Sequence, residues 1–253
     1  MPFRHKLQAS RFEFKYVIDE ELAIRVRHFL SSNVELDEHA QLSADNAYPV
    51  HSLYLDSPDL SLFKQTAHGI KNRFKLRIRF YDGNPEGPAF LEIKKRVTDV
   101  IRKERAAVRR EAVEYLLKGG RPDDSYLVET RDMNEAGSAL QNFCRLYESI
   151  GAQPRVYVCY VREAYTSPDS DRVRVTFDRQ LTGTQFGSEA LLVPPAQGAE
   201  PKVGGVILEL KFTDRFPPWL QELVTTFNLQ RRSVPKYNMC IHSLDMQPWN
   251  WPE

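Results

Sequence analysis

The sequence lacks any run approaching the roughly 18 consecutive apolar residues of a membrane-spanning helix, and its opening, MPFRHKLQAS, has no apolar stretch of the secretory-leader kind. The expectation is a soluble, unsecreted, cytoplasmic chain. Its three cysteines, Cys144, Cys159 and Cys240, are odd in number and far apart, which suits neither a disulfide framework nor a zinc site. They read as reduced thiols, mostly packed in a core. No Walker-type glycine-rich loop and no dinucleotide fingerprint occurs, so a nucleotide would have to be held by its phosphates. None of the six histidines falls in the charged row of a strand, or at a spacing that suggests a triad or a metal pair. Repeats and low-complexity tracts are absent as well.

There is also no overall charge to advertise a polyanionic partner, because 35 basic side chains nearly balance 34 acidic ones. The balance hides a strong local excess. Residues 71–110 hold thirteen Lys/Arg against five acids, a net of +8. With 253 residues, 42% hydrophobic and 27% charged, the chain can bury a real core; it is expected to form one domain over residues 1–253.

At the centre of the excess stands RFKLRIRFY (73–81), with a basic residue at every second position and Phe74, Leu76, Ile78 and Phe80 between them. Successive side chains of a strand point to opposite faces, so Arg73, Lys75, Arg77 and Arg79 form one row and the apolar four another. Similar strands are expected at 12–18, 50–56, 89–97, 101–109, 155–165, 172–178 and 206–212. Residues 73–81, 89–97 and 101–109 read as a meander, the first two joined by the turn-rich DGNPEGP. Helices are expected at 20–30, capped by Asp19 with Leu22, Ile24, Val26, Phe29 and Leu30 on one side, and from Ser57-Pro58 through 67. Others fall at 111–117, 134–150, after Pro217-Pro218, and at 236–244, while the Gly/Pro-rich 182–205 reads as a loop. Strands whose neighbours can pair antiparallel, with helices added, make an α+β fold with one large sheet.

Parity then sorts the charges. Glu13 and Lys15 share one face, as do Glu92, Lys94 and Arg96; Arg172, Arg174, Thr176 and Asp178; and Glu209 and Lys211. Residues 101–108 place basic groups on both sides, Arg102 on one and Lys103 with Arg105 on the other. An ordinary solvated face mixes signs and uses Thr, Ser and Gln freely. These rows are mainly Arg and Lys with few Glu. A sheet curled so that its charged face points inward explains them, provided the lumen stays wet or holds an anion. Arg offers a planar fork for phosphate oxygens and Lys a point charge, so many such groups on facing walls suit a string of phosphates better than one carboxylate. The sparse carboxylates then suit Mg²⁺ or Mn²⁺ bridging phosphate oxygens.

These residues carry a resemblance. RFEFKYVI (11–18), SLYLDSPDLSLF (52–63), KLRIRFY (75–81), FLEIKKR (90–96), YVREAY (160–165), DRVRVTFD (171–178), LELKF (208–212) and VPKYNMCIH (234–242) occur in an order that resembles the VTC domain. That domain is the catalytic module of vacuolar transporter chaperone-type polyphosphate polymerases, within the CYTH or triphosphate tunnel metalloenzyme superfamily. The likeness covers residues 11 to about 245. It implies an antiparallel eight-stranded β-barrel, the triphosphate tunnel, with helices packed outside, extending polyphosphate from the γ-phosphate of ATP with Mn²⁺ or Mg²⁺. It further implies Arg77, Arg79 and Lys94 as catalytic clamps, Lys15, Arg162, Arg174 and Lys236 as phosphate ligands, and Arg102 or Lys103 as the cation of the next strand. Glu209, assisted by Glu13, would hold the metal.

Two departures stand out. Arg11, Glu13 and Lys15 give R-x-E-x-K where the wider superfamily has E-x-E-x-K, and Met239 replaces a lysine of the yeast-like polymerases. Implied partners are ATP, polyphosphate, pyrophosphate or triphosphate, with a membrane-protein partner if synthesis is coupled to translocation. A metal-dependent triphosphatase and a non-catalytic polyphosphate binder are the alternatives. A nucleic-acid platform is disfavoured, because Phe74 and Phe80 lie opposite the arginines, whereas stacking on bases needs aromatics and cations on one face.

Overall fold

The computed structural model describes residues 11–247 except 83, 85, 99, 169 and 188–190; the opening decapeptide lies outside the described residues. In chain order, β1 (Arg11–Ile18) leads through α1 (Glu20–Leu30), β2 (Glu35–Leu36) and α2 (Glu38–Gln41) to β3 (Tyr48–Asp56) and α3 (Ser61–Ala67). The meander β4 (Arg73–Phe80), β5 (Ala89–Val97) and β6 (Val100–Val108) follows, then α4 (Arg110–Leu117) and α5 (Met133–Ser149). Two long strands, β7 (Gln153–Ser167) and β8 (Ser170–Gln185), precede β9 (Val206–Thr213), α6 (Pro218–Thr226) and α7 (Lys236–Ser243).

All strands join one antiparallel sheet in the order β1-β9-β8-β7-β3-β4-β5-β6, with the short β2 attached to β7 off that path. The sheet curls until its two ends meet, β1 and β6 approaching within 8 Å between Cα atoms. Among the described residues no backbone ladder joins them. The seam is spanned instead by Lys94 of β5, whose Nζ lies 2.8 Å from Glu13 Oε2 of β1. The expected eight-stranded barrel is therefore a tunnel that a salt bridge, not a ladder, closes at one side.

Alternation does the rest. On the convex side, Leu76, Ile78, Leu91 and Ile93 pack beneath Val113 and Leu116 of α4 and Leu140 and Phe143 of α5. A second cluster joins Val175, Phe177, Leu208 and Leu210 to Ala23, Val26 and Leu30 of α1 and to Leu220 and Leu223 of α6. Each such large side chain contributes about 1.5–3 kcal/mol on burial. Asp19 caps α1 as expected, its Oδ1 accepting from the Leu22 N–H at 2.7 Å, a contact worth about 1 kcal/mol. Ile24 is 48% exposed, because two residues short of Val26 it lies well round the helix from the buried stripe.

Three expectations are corrected. The helix after Ser57-Pro58 starts later, at Ser61, once Leu60 has taken a left-handed φ of 59°. Ser57 still caps it, its Oγ accepting the Ser61 N–H at 2.8 Å, and Asp56 joins it, its buried carboxylate accepting the N–H groups of Leu62 and Phe63 at 2.9 Å each. Residues 182–185, read as loop, continue β8. The helices, finally, are not all outside. Tyr237, Cys240 and Ile241 of α7 pack on Val50, Tyr54, Val156, Val158 and Ile207, and Tyr54 pairs in register with Arg77 and Val156. Those side chains belong to the charged, concave face, so α7 sits inside the curve. Its close approach explains Gly183, where an added Cβ would meet Cys240 Cβ at 2.6 Å.

Candidate functional site

The concave face encloses a cavity of about 1060 Å³, and every residue singled out from the sequence borders it: Glu13, Lys15, Arg77, Arg79, Lys94, Arg102, Lys103, Arg162, Arg174, Glu209 and Lys236. Register brings them together. Lys15 stands opposite Glu209, Glu209 opposite Thr176, Arg162 opposite Asp178, Arg77 opposite Glu92, and Lys94 opposite both Lys75 and Lys103. Strands distant in sequence thus direct their charged parity into one lumen.

One wall is a dense ionic cluster. Lys15 Nζ lies 3.1 Å from both Glu13 and Glu209 and donates to the Val234 carbonyl at 3.2 Å. Glu209 also meets Lys211 at 2.6 Å and Lys236 at 2.7 Å. Asp178 binds Arg162 through two 2.7 Å hydrogen bonds and Lys236 through a 2.7 Å contact. Burial opposes ionisation of these acids, but the surrounding cations prevail, holding Glu13 and Glu209 well below the usual carboxylate range. Lys236 reaches this cluster because α7 begins inside the tunnel; the sequence alone placed it at a loop or helix start. Met239, three residues on, packs with the apolar cluster under α7 and does not border the cavity.

The facing wall is built around Glu92, which is fully buried. Arg77 Nη2 lies 2.7 Å from it, Lys103 Nζ 2.6 Å and Arg105 Nε 3.2 Å. Desolvation raises the Glu92 pKa, but Arg77, Arg79, Lys103 and Arg105 together drive it well below the usual range. Of Arg102 and Lys103 it is therefore Lys103 that faces the lumen, with Arg105 beside it on the same parity. Arg102 has the opposite parity, across from Lys95, which pairs at 2.5 Å with Glu104 on the side facing Asn142 of α5; Arg102 touches the cavity only at its border.

Arg79 differs from its neighbours. It is 6% exposed and makes hydrogen bonds to neutral oxygens only, donating to Ser52 Oγ and the Tyr160 hydroxyl at 3.2 Å each. Among the described residues no carboxylate lies within ion-pair distance of it. Arg77 donates additionally to the Tyr54 hydroxyl at 3.1 Å. Arg174 is anchored by Asp37 at 2.6 Å and donates to the Tyr48 hydroxyl at 3.0 Å.

Several lining residues escaped the sequence reading: Tyr54 and Tyr160, which orient the guanidinium groups, and Arg231 and Arg232 in the segment before α7. The tyrosines were legible only as β-formers. The adjacent arginines carried a basic signal, but no strand parity to aim it.

For a divalent ion the chain offers hard oxygen donors, Glu13 and Glu209, both ionised and bridged by Lys15. Among the described residues no group of three or more His, Cys, Asp and Glu is arranged as a metal cage. This donor set fits Mg²⁺ or Mn²⁺ bound through one or two carboxylates, with phosphate and water supplying the remaining oxygens; it does not fit a metal held by protein alone.

The family model described as VTC domain matches residues 10–245. The chain belongs to the VTC domain family, and its chemistry is accordingly related to polyphosphate or triphosphate, as phosphoryl transfer or triphosphate hydrolysis. No curated protein matches the sequence. Among solved structures, a suspected adenylate cyclase from Bacillus halodurans is similar at 11% identity and a TM-score of 0.44, covering 89% of this chain and 95% of its own. The mimivirus capping enzyme triphosphatase is similar at 10% identity and a TM-score of 0.36, covering 86% and 88%. Likenesses this loose carry no weight for mechanism.

Proposed function

We propose that the protein extends polyphosphate by transferring the γ-phosphate of ATP to a chain lying in the tunnel. The observation that supports transfer over hydrolysis is the state of the lumenal acids. Glu13, Glu92, Asp178 and Glu209 are each gripped by two or more Lys or Arg side chains. Burial opposes their charge, but these cations hold all four below the ordinary carboxylate range, which makes them weak bases for an attacking water. The terminal oxygen of a polyphosphate chain is already anionic and needs no such base.

Phosphoryl transfer depends on positioning and charge neutralisation, with little covalent work for the protein. Arg77, Arg79 and Lys94 clamp the β- and γ-phosphates, their geometry fixed by Tyr54, Ser52, Tyr160 and Glu13. Lys15, Arg162, Lys103 and Lys236 hold the acceptor chain in line, and Arg174 extends the cationic track toward Tyr48. Glu209 and Glu13 would hold a divalent ion, which would supply neutralisation of phosphate charge.

The test is incubation of purified protein with ATP and Mn²⁺, with products resolved on a gel stained for polyphosphate while ADP and free phosphate are followed. Long chains with ADP and little free phosphate are expected. Free phosphate without chains would assign a triphosphatase instead; tight triphosphate binding with no turnover would assign a non-catalytic receptor.

A further inference from the structure

Lys75 belongs to the row that borders the cavity, yet neither the resemblance nor the proposed mechanism gives it a task. It stands opposite Lys94 in the β4–β5 register, half-buried, with its Nζ 5.9 Å from the centre of the Tyr237 ring. Among the described residues it has no ion pair and no hydrogen bond. The charged groups that act on it most strongly are cations: Lys15 on β1, Lys94 on β5, and Arg73 and Arg77 on its own strand. The carboxylate that Lys15 and Lys94 share, Glu13, is occupied by both. Lys103 and Lys211, which burial also pushes down to about 7, differ in that each rests on a glutamate.

An ammonium in that position has nothing to neutralise it until an anion enters. We propose that Lys75 is an additional phosphate-binding residue of the tunnel and that it takes up a proton when a phosphate chain arrives, so that binding is coupled to protonation. This rests on the phosphate-binding reading of the cavity and specifies its dependence on pH. Desolvation and the four neighbouring cations push the Lys75 ammonium down to about 7. In the ligand-free tunnel it is therefore largely neutral at pH 8. A phosphate oxygen beside it reverses the sign of its surroundings and restores the charge.

The consequence is a proton linkage: above pH 7 the affinity for a phosphate chain falls by up to about tenfold per pH unit on account of this one group. The test is titration calorimetry of the full chain with sodium tripolyphosphate, without metal, at pH 8 in two buffers of different ionisation enthalpy. Wild type is compared with Lys75→Arg, a permanent cation, and Lys75→Met, a permanent neutral. Protonation of the ligand itself is common to all three and cancels in the difference. Wild type should take up roughly one proton more than either variant, and Lys75→Arg should bind at least as tightly as wild type at pH 8. Equal proton uptake in the three proteins overturns the role of Lys75 while leaving the phosphate site standing. Failure of wild type to bind tripolyphosphate at all overturns the site and this inference together. Circular dichroism verifies the fold of the methionine variant, and the arginine variant carries the test if that one does not fold.

Discussion

Replacing Arg79 by leucine separates binding from stability in a way few surface or core substitutions could. Arg79 is a buried cation held by two neutral hydrogen bonds of 3.2 Å; desolvation and Arg77 oppose its charge, while Tyr160 and, from beyond ion-pair distance, Glu92 favour it and keep its pKa above the ordinary value. Removing it relieves the desolvation of an unpaired charge, and well-packed apolar replacements of buried ionic groups are commonly neutral or stabilising by about 1–4 kcal/mol. Against that stand two hydrogen bonds to a charged donor, each worth roughly 1.5–3 kcal/mol at most when well aligned; Ser52 and Tyr160 can turn toward the water of the cavity. These contributions largely offset, so the expected result in the ligand-free protein is a Tm within about 5 °C of wild type, at roughly 2–4 °C per kcal/mol for a chain of this size. Tripolyphosphate affinity should fall by about 10- to 100-fold, for the loss of one charge-assisted phosphate contact. Scanning fluorimetry and calorimetry on the same preparation measure both. A drop in Tm of more than about 5 °C, or affinity within twofold of wild type, would refute the reasoning, since either outcome makes Arg79 a structural residue. Arg77→Ala is the contrasting control. Because Arg77 neutralises the fully buried Glu92, its loss should cost stability, by up to about 3–5 kcal/mol, although Lys103 and Arg105 remain beside the carboxylate to moderate it.

Acid should unfold the tunnel early. Glu13, Glu92 and Glu209 have folded pKa values well below their ordinary 4.5, so their stabilisation is fully present above that value and lost as pH falls through the folded values; Tm measured from pH 7 to pH 3 should decline steeply below about 4.5, and a flat profile there would contradict the ion-pair assignment. Gly183→Ala places a methyl 2.6 Å from Cys240 Cβ and 3.3 Å from its Cα. It should destabilise by about 1–3 kcal/mol and, by shifting α7 and with it Lys236, weaken tripolyphosphate binding; denaturant melts and calorimetry would show whether both change together.

Strand parity exposed most of the site, because a strand's two faces are written alternately in its own sequence. Lys15, Arg77, Lys94 and Glu209 could be assigned to one lumen before any contact was known. The location of α7 could not. An apolar helix stripe has the same period whether it packs on the convex or the concave side of a sheet, so Tyr237 and Ile241 said only that they were buried. Pairings were hidden for a different reason. Asp178 meets Lys236, and Asp37 meets Arg174, across long stretches of chain; nothing local to either acid marks its partner. The choice between Arg102 and Lys103 also needed the register of β6 against β5, since both residues read as basic strand positions. The closure of the barrel was overdrawn, because sequence reports strands but not whether the first and last complete a ladder.

The seam and the inner helix set a schedule for the making of the protein. Among the described residues β1 pairs only with β9, Lys15 facing Glu209, nearly two hundred residues later in the chain. At ordinary translation speeds β1 waits roughly 10–40 s for that partner. Until then its Lys15, and the arginines of β4, are spread along an unfinished chain that cannot encircle anything. α7 arrives later still, carrying Lys236. The cation-lined interior thus comes into being only once β9 and α7 have been made, and a nascent chain stalled before β9 would carry the cations without the tunnel, free to stick to any polyanion nearby, ribosomal RNA included.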